Sequence, residues 1–140
     1  MFPGDAEWKG KKVKKGEQNS SWDVMLKMDK NRGHLSKPLD FLKVGHHGSV
    51  NGTPFIDKKG AKQPVLDKLL PEQSKAFVVV STLAGKHGEK KKVPYPNLMK
   101  ELGRRAVNSR EYRDIPGVKH PQRTDHEKGY IDVTFGPFSD

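Results

Sequence analysis

The chain has 140 residues and a formal net charge of +10, with 32% hydrophobic residues and a mean hydropathy of -0.86. That length allows one domain. The low hydrophobic content provides only a small core, as expected for half of a larger two-sheet domain. The absence of cysteine excludes disulfides and thiolate zinc sites, and no apolar run has the length of a membrane span. These features are typical of a soluble cytoplasmic protein.

Helices and strands are predicted to alternate along the chain, which indicates an α/β fold. The first helix is predicted to be capped by Ser20 or Ser21 and to run to about Asp29. Gly33 is expected to terminate it, because glycine readily adopts the left-handed conformation found at helix ends. The β-branched, almost wholly apolar segment 76–82 indicates a strand covered on both faces. Further helices are predicted at 64–70 and 96–106, further strands at 40–44 and 130–135, and loops at 60–63 and 108–122.

Two adjacent histidines, His46 and His47, follow the predicted strand 40–44 on a turn bounded by Gly45 and Gly48. Strand-end turns often carry metal ligands and catalytic groups, because the strand is rigid while the turn exposes its side chains. Adjacent side chains on a strand would point to opposite faces, whereas on a turn both can face one cleft. Glycine permits such a turn by accepting backbone angles closed to other residues. A pair of hydrogen-bonded structural histidines is the alternative interpretation.

A second turn of this kind opens the chain, where Pro3 and Gly4 are followed at once by Asp5. Taken alone, an aspartate that bonds its own backbone is the simpler interpretation. Together with the histidine pair, however, it provides the carboxylate and imidazole donors that zinc hydrolases use. Two ligands are too few for a catalytic zinc, which takes three from the protein and one water.

Segments 1–8 and 40–54 resemble the later part of a metallo-β-lactamase-fold hydrolase, with a fainter likeness at 119–129. The strings that carry the resemblance are Phe-Pro-Gly-Asp-Ala-Glu, Leu-Lys-Val-Gly-His-His-Gly-Ser and Asn-Gly-Thr-Pro. They are similar to the branch that includes the hydrolase domain of bacterial DNA-uptake channel proteins and phosphocholine esterases. His120 and His126, in the last segment, are expected at the surface.

The resemblance implies a single partial domain over residues 1–140, the carboxyl-terminal half of an αββα sandwich whose amino-terminal half is its missing partner. It implies that Asp5 bridges two zinc ions, that His47 binds one of them and that His46 faces the substrate's leaving group or phosphate, with the order of the two histidines open. His87 is a lesser candidate for substrate contact. The family's upstream His-x-His-x-Asp-His cluster is absent from this chain. The isolated chain is therefore expected to bind zinc weakly or not at all, and to be inactive.

The expected function is hydrolysis of a phosphate ester or another anionic substrate by a metal-activated water. Lysines are concentrated at residues 9–15 and 86–92, and a basic excess attracts nucleic acid through counterion release. Solvated loop lysines are the simpler interpretation of both clusters. The alternative function is a catalytically inactive basic module that binds nucleic acid or another polyanion and retains Asp5 and His47 as relics.

Overall fold

A computed structural model describes residues 1, 3, 4, 6–9, 20–29, 33, 35, 37–72, 74–82, 93–112, 115–124, 130–134 and 136. This part of the chain is mixed α/β. Its helices are α1 (Ser21–Asp29), α2 (Leu66–Leu69) and α3 (Pro96–Arg105), and its strands are β1 (Phe41–Lys43), β2 (Phe77–Val80), β3 (Arg110–Tyr112), β4 (Ile115–His120) and β5 (Gln122–Arg123). The predicted alternation holds from α1 to α3, after which three strands follow without a helix.

A parallel sheet organises the molecule, with β2 between β1 and β5. The opening residues run along the free edge of β1. The Met1 nitrogen donates to the Phe41 carbonyl at 2.7 Å, and the Lys43 amide donates to the Met1 carbonyl at 3.0 Å. This is the hydrogen-bond pattern of a parallel pair. Because these segments all run in the same direction, the residues that follow them lie together at the carboxyl-terminal end of the sheet.

The core lies between this sheet and the helices. Val78, Val79 and Val80 are at most 5% exposed, which confirms that β2 is covered on both faces. Burial of such side chains contributes about 25 cal/mol for each Å² of apolar surface removed from water. The other fully buried apolar residues described around them are Trp22, Leu42, Val44, Leu66, Leu69, Leu70, Ala76, Leu98, Met99 and Leu102.

Helix α1 forms as its capping residues predict. The Ser20 hydroxyl accepts a hydrogen bond from the Asp23 amide at 3.4 Å and also bonds the Asp23 carboxylate, so it satisfies one of the free donors of the first turn. At the other end the Gly33 amide donates to the Asp29 carbonyl at 2.8 Å, with Gly33 at φ +72°. This left-handed glycine confirms the predicted end of the helix.

Helix α3 approaches β4 very closely at Gly103. A Cβ atom at this position would lie 2.0 Å from the Lys119 carbonyl oxygen, so only glycine fits. Near the end of the same helix the buried Arg105 donates to the Leu70 carbonyl and to the Asp67 carboxylate, both at 2.7 Å. Arg105 thereby fixes α3 against the end of α2.

Two predictions for the last third of the chain are wrong. Residues 108–122, predicted as a loop, contain the antiparallel pair β3–β4 and the beginning of β5. Few of these residues are apolar, so no period-2 pattern marks the strands, which are held instead by pairing and by Arg123 stacked 4.0 Å from the ring centre of Tyr112. Residues 130–134, predicted as most of a strand, have no regular structure because alternation alone supplies no partner edge; Phe135 lies outside the described residues.

Among the described residues, no helix combines the length and the apolar content that crossing a membrane requires.

Candidate functional site

The histidine pair forms a left-handed turn directly after β1. His46, His47 and Gly48 have φ values of 46°, 51° and 80°. This conformation is ordinary for glycine but costs of order 1–3 kcal/mol at another residue. The turn is closed by the Gly48 amide, which donates to the Gly45 carbonyl at 3.0 Å, and by the Ser49 amide, which donates to the His46 carbonyl at 2.9 Å. Both imidazoles are exposed, as a site on a turn requires.

Neighbouring backbone segments hold the strained turn from two sides. The His46 amide donates to the Gly4 carbonyl at 3.0 Å, and the Tyr95 amide donates to the Gly48 carbonyl at 2.7 Å. One of these partners comes from the opening segment and the other from the beginning of α3. The turn is therefore fixed by parts of the chain that are far apart in sequence.

Gly45 is required for space and not for an unusual backbone angle. Its φ of -71° and ψ of 157° are ordinary extended values, so the predicted reason for glycine is wrong at this position. A Cβ atom on Gly45 would lie 2.7 Å from the Gly52 carbonyl oxygen and 2.9 Å from that of Gly4. A Cβ atom on Gly52 would lie 2.6 Å from the Gly45 oxygen and 3.0 Å from the His46 Cβ. The buried Trp22 indole donates to the Gly52 carbonyl at 3.3 Å and fixes the far side of this contact.

The ring of His47 is oriented by the end of β2. Its Nδ1 lies 2.6 Å from the carbonyl oxygen of Ser81, the residue that follows the strand. A carbonyl only accepts, so Nδ1 carries the proton, and in the neutral ring the lone pair is on Nε2. Histidines that bind metals are commonly oriented by such a bond to their other nitrogen. The geometry therefore favours His47 as the ligand of the pair.

Asp5 and His87 lie outside the described residues, but both neighbours of Asp5 are described. The Ala6 amide donates to the Pro3 carbonyl at 3.0 Å and closes the opening turn. The Gly4 carbonyl, one residue before Asp5, accepts the His46 amide. The backbone beside Asp5 thus contacts the histidine turn.

His120, expected at the surface, is 1% exposed within β4, so that prediction is wrong. The reason is the close packing of α3 over β4, which the sequence did not reveal because the intervening hairpin has no apolar pattern. His126 lies outside the described residues.

The sequence did not reveal a series of side-chain hydrogen bonds beside the histidine turn. The Ser49 hydroxyl donates to Asn51 Oδ1 at 2.6 Å, and Asn51 Nδ2 donates to Glu7 Oε1 at 3.3 Å. The Trp8 amide also donates to the Asn51 carbonyl at 2.6 Å. These bonds attach the segment after Asp5 to the segment after the histidines. The one signal available was the recurrence of short polar residues at both turns.

Within the described ranges, no three histidine, aspartate or glutamate side chains are arranged to hold a metal ion. The His47 imidazole, with Nδ1 bonded to a carbonyl, is a type of ligand that zinc commonly binds. Asp5, the carboxylate predicted to act with it, lies outside these ranges.

Comparisons with known proteins give no relative: no family model, no curated protein and no solved structure matches the chain.

Proposed function

We propose that this chain is part of a metal-dependent hydrolase of anionic esters and forms the carboxyl-terminal half of a metallo-β-lactamase-like sandwich. The observation that supports this most directly is the left-handed turn that exposes His46 and His47 while the Ser81 carbonyl fixes the His47 ring. Strained backbone at exposed polar residues, held in place by hydrogen bonds from distant segments, is typical of functional sites.

In this proposal Asp5 and His47 hold zinc, with Nε2 as the ligand atom of His47. Bound zinc supplies Lewis acidity toward water and toward an ester oxygen. His46, on the same turn, donates a hydrogen bond or a proton to the oxygen on which negative charge develops. The net charge of +10 favours a substrate that is itself anionic, and we propose a phosphate ester.

Zinc titration of the isolated chain tests the ligand assignment. We expect binding weaker than about 1 μM, because two ligands do not complete a catalytic zinc site. His47→Gln should weaken it at least about tenfold, while His126→Gln, which removes an imidazole 79 positions further along the sequence, should not. Calorimetry at neutral pH measures both. Unchanged affinity in His47→Gln would refute the assignment, and submicromolar binding of two ions would refute the partial site.

The coding sequence upstream of Met1 tests the hydrolase itself. We expect it to encode an in-frame His-x-His-x-Asp-His cluster, and the extended polypeptide to hydrolyse bis(p-nitrophenyl) phosphate in a zinc-dependent manner. His46→Gln should lower kcat by about 100-fold, the order contributed by a positioned acid, with little effect on zinc affinity. An upstream sequence without such a cluster would contradict the proposed function.

A further inference from the structure

A groove of about 660 Å³ lies between the 55–63 segment and α3, and it differs from the histidine turn in its residues and its chemistry. Six basic and four acidic side chains line it, which leaves a net charge of +2. Lys9 does not line it, and the other lysines of the clusters at 9–15 and 86–92 lie outside the described residues. The basic residues of the groove are Lys58, Lys59, Lys62, Lys100, Arg104 and Arg105.

The carboxylates of the groove are engaged by neighbouring side chains. Asp57 accepts hydrogen bonds from the Tyr95 hydroxyl and, at 3.0 Å, from Asn97 Nδ2. These two donors, Tyr95 first, hold the pKa of Asp57 below its ordinary value. Each oxygen of this carboxylate thus accepts a hydrogen bond from a neutral donor, and the group keeps its negative charge at the wall of the groove.

The two arginines are occupied in the same way. Arg105 pairs with Asp67 at 2.7 Å and with Glu101 at 2.6 Å. Arg104 pairs with Glu101 at 2.9 Å and with Glu72 at a shorter distance. These pairs involve both guanidinium groups and three of the four carboxylates. The net charge of +2 is therefore carried at the surface of the groove by lysines that take no part in the pairs.

The four groove lysines, Lys58, Lys59, Lys62 and Lys100, are exposed. None of them forms an ion pair with another described residue. Three lie on one segment, and Lys100 faces the same groove from α3. Ammonium groups that converge on a concave surface of net positive charge raise the local concentration of a polyanion.

We propose that this groove binds the phosphate backbone of a nucleic acid without reading its sequence. Lysines are mobile point charges that suit successive phosphates, and contacts to phosphate position a strand without specifying its bases. Phe55, the one aromatic residue among the described residues that line the groove, is buried and so offers no platform for base stacking. An acidic protein partner would need exposed apolar anchors, and Phe55 provides none. The binding does not depend on the proposed hydrolysis.

The groove is connected to the histidine turn through Tyr95. The Tyr95 amide bonds the Gly48 carbonyl while its hydroxyl bonds Asp57 at the groove wall. One residue thus connects the backbone of the histidine turn to the wall of the groove.

Fluorescence anisotropy with labelled single-stranded DNA, over a series of KCl concentrations, tests the proposal on the whole chain. The groove variant changes Lys58, Lys59, Lys62 and Lys100 together to Gln. The control variant has the same net charge and changes four other exposed lysines to Gln: Lys27, Lys37, Lys75 and Lys119. All eight side chains are exposed, and circular dichroism confirms folding.

We expect the groove variant to lose at least about tenfold in affinity at low salt, and its log–log salt slope to fall by about 3, since each phosphate contact on a single strand contributes about 0.7. The control should stay within about threefold of the wild type, because only long-range attraction is lost. Equal losses in the two variants would show general lysine attraction and overturn the proposal. Competition by poly-aspartate as effective as competition by unlabelled DNA would overturn the assignment of phosphate.

Discussion

Gly45 shows how a single missing side chain sets the geometry of the histidine turn. The backbone carbonyls of Gly4 and Gly52 approach the place where a Cβ atom would be, at 2.9 and 2.7 Å. Both contacts are with backbone atoms, which cannot rotate away. The turn and the opening segment are therefore as close as they are only because residue 45 is glycine.

We expect Gly45→Ala to lower the free energy of unfolding by about 1–3 kcal/mol, the usual cost of forcing an extra methyl group into a packed contact. Gly136→Ala is the matched control, because no atom of the described residues lies within 4 Å of its added Cβ, and its effect should stay within about 0.5 kcal/mol. Urea unfolding followed by tryptophan fluorescence measures both. Equal stability of the two variants would contradict the close contact.

The sequence predicted the histidine pair on a strand-end turn, but not what orients it. The doubled histidine between glycines is a local pattern that can be read directly. The partner of His47 is a backbone carbonyl at Ser81, and its position depends on the parallel register of β1 and β2. Any residue type at 81 would present the same oxygen, so no side-chain pattern could have revealed this contact.

At the scale of elements, the helices and strands with a strong apolar pattern were predictable, and the polar ones were not. Helices α1, α2 and α3 and strands β1 and β2 all begin and end within two residues of their predicted bounds. Strands β3 and β4 were missed because their stability comes from pairing with each other and from α3 packed on β4. That packing is a tertiary contact with no local signature.

Gly103 provides a test of this helix–strand contact. In an exposed helix, replacing glycine by alanine stabilises by about 1 kcal/mol. Here the added Cβ would lie 2.0 Å from the Lys119 carbonyl oxygen, so we expect Gly103→Ala to destabilise by about 2 kcal/mol or more. Lys27→Ala, an exposed change in α1, should stay within about 0.5 kcal/mol. Thermal unfolding by circular dichroism measures the sign, and stabilisation by Gly103→Ala would refute the contact.

At the scale of the whole molecule, charged side chains at the surface connect segments that are distant in sequence. Asp57 attaches the 55–63 segment to Tyr95 and Asn97, and Glu72 attaches the end of α2 to Arg104. The hydrogen bonds from Tyr95 and Arg104 hold the pKa values of Asp57 and Glu72 below their ordinary values of 3.8 and 4.5. Folding therefore favours the ionised form of both carboxyl groups.

This linkage predicts a loss of stability in acid. A lowered folded-state pKa contributes stability that is fully present above the ordinary value and is lost as the pH falls through the lowered one. We expect the urea concentration at the unfolding midpoint to decrease as the pH is lowered below about 4. Asp57→Asn and Tyr95→Phe should each make this decrease smaller. A pH profile identical in wild type and both variants would show that the Asp57–Tyr95 bond contributes nothing.

The left-handed turn also restricts which residue types can occupy positions 46 and 47. After glycine, asparagine and aspartate tolerate positive φ best, whereas β-branched and bulky residues are outliers. An amide or a carboxylate could therefore replace either imidazole without rebuilding the backbone, but valine, isoleucine or threonine could not. The turn selects a short list of donor groups before any substrate or cation is considered.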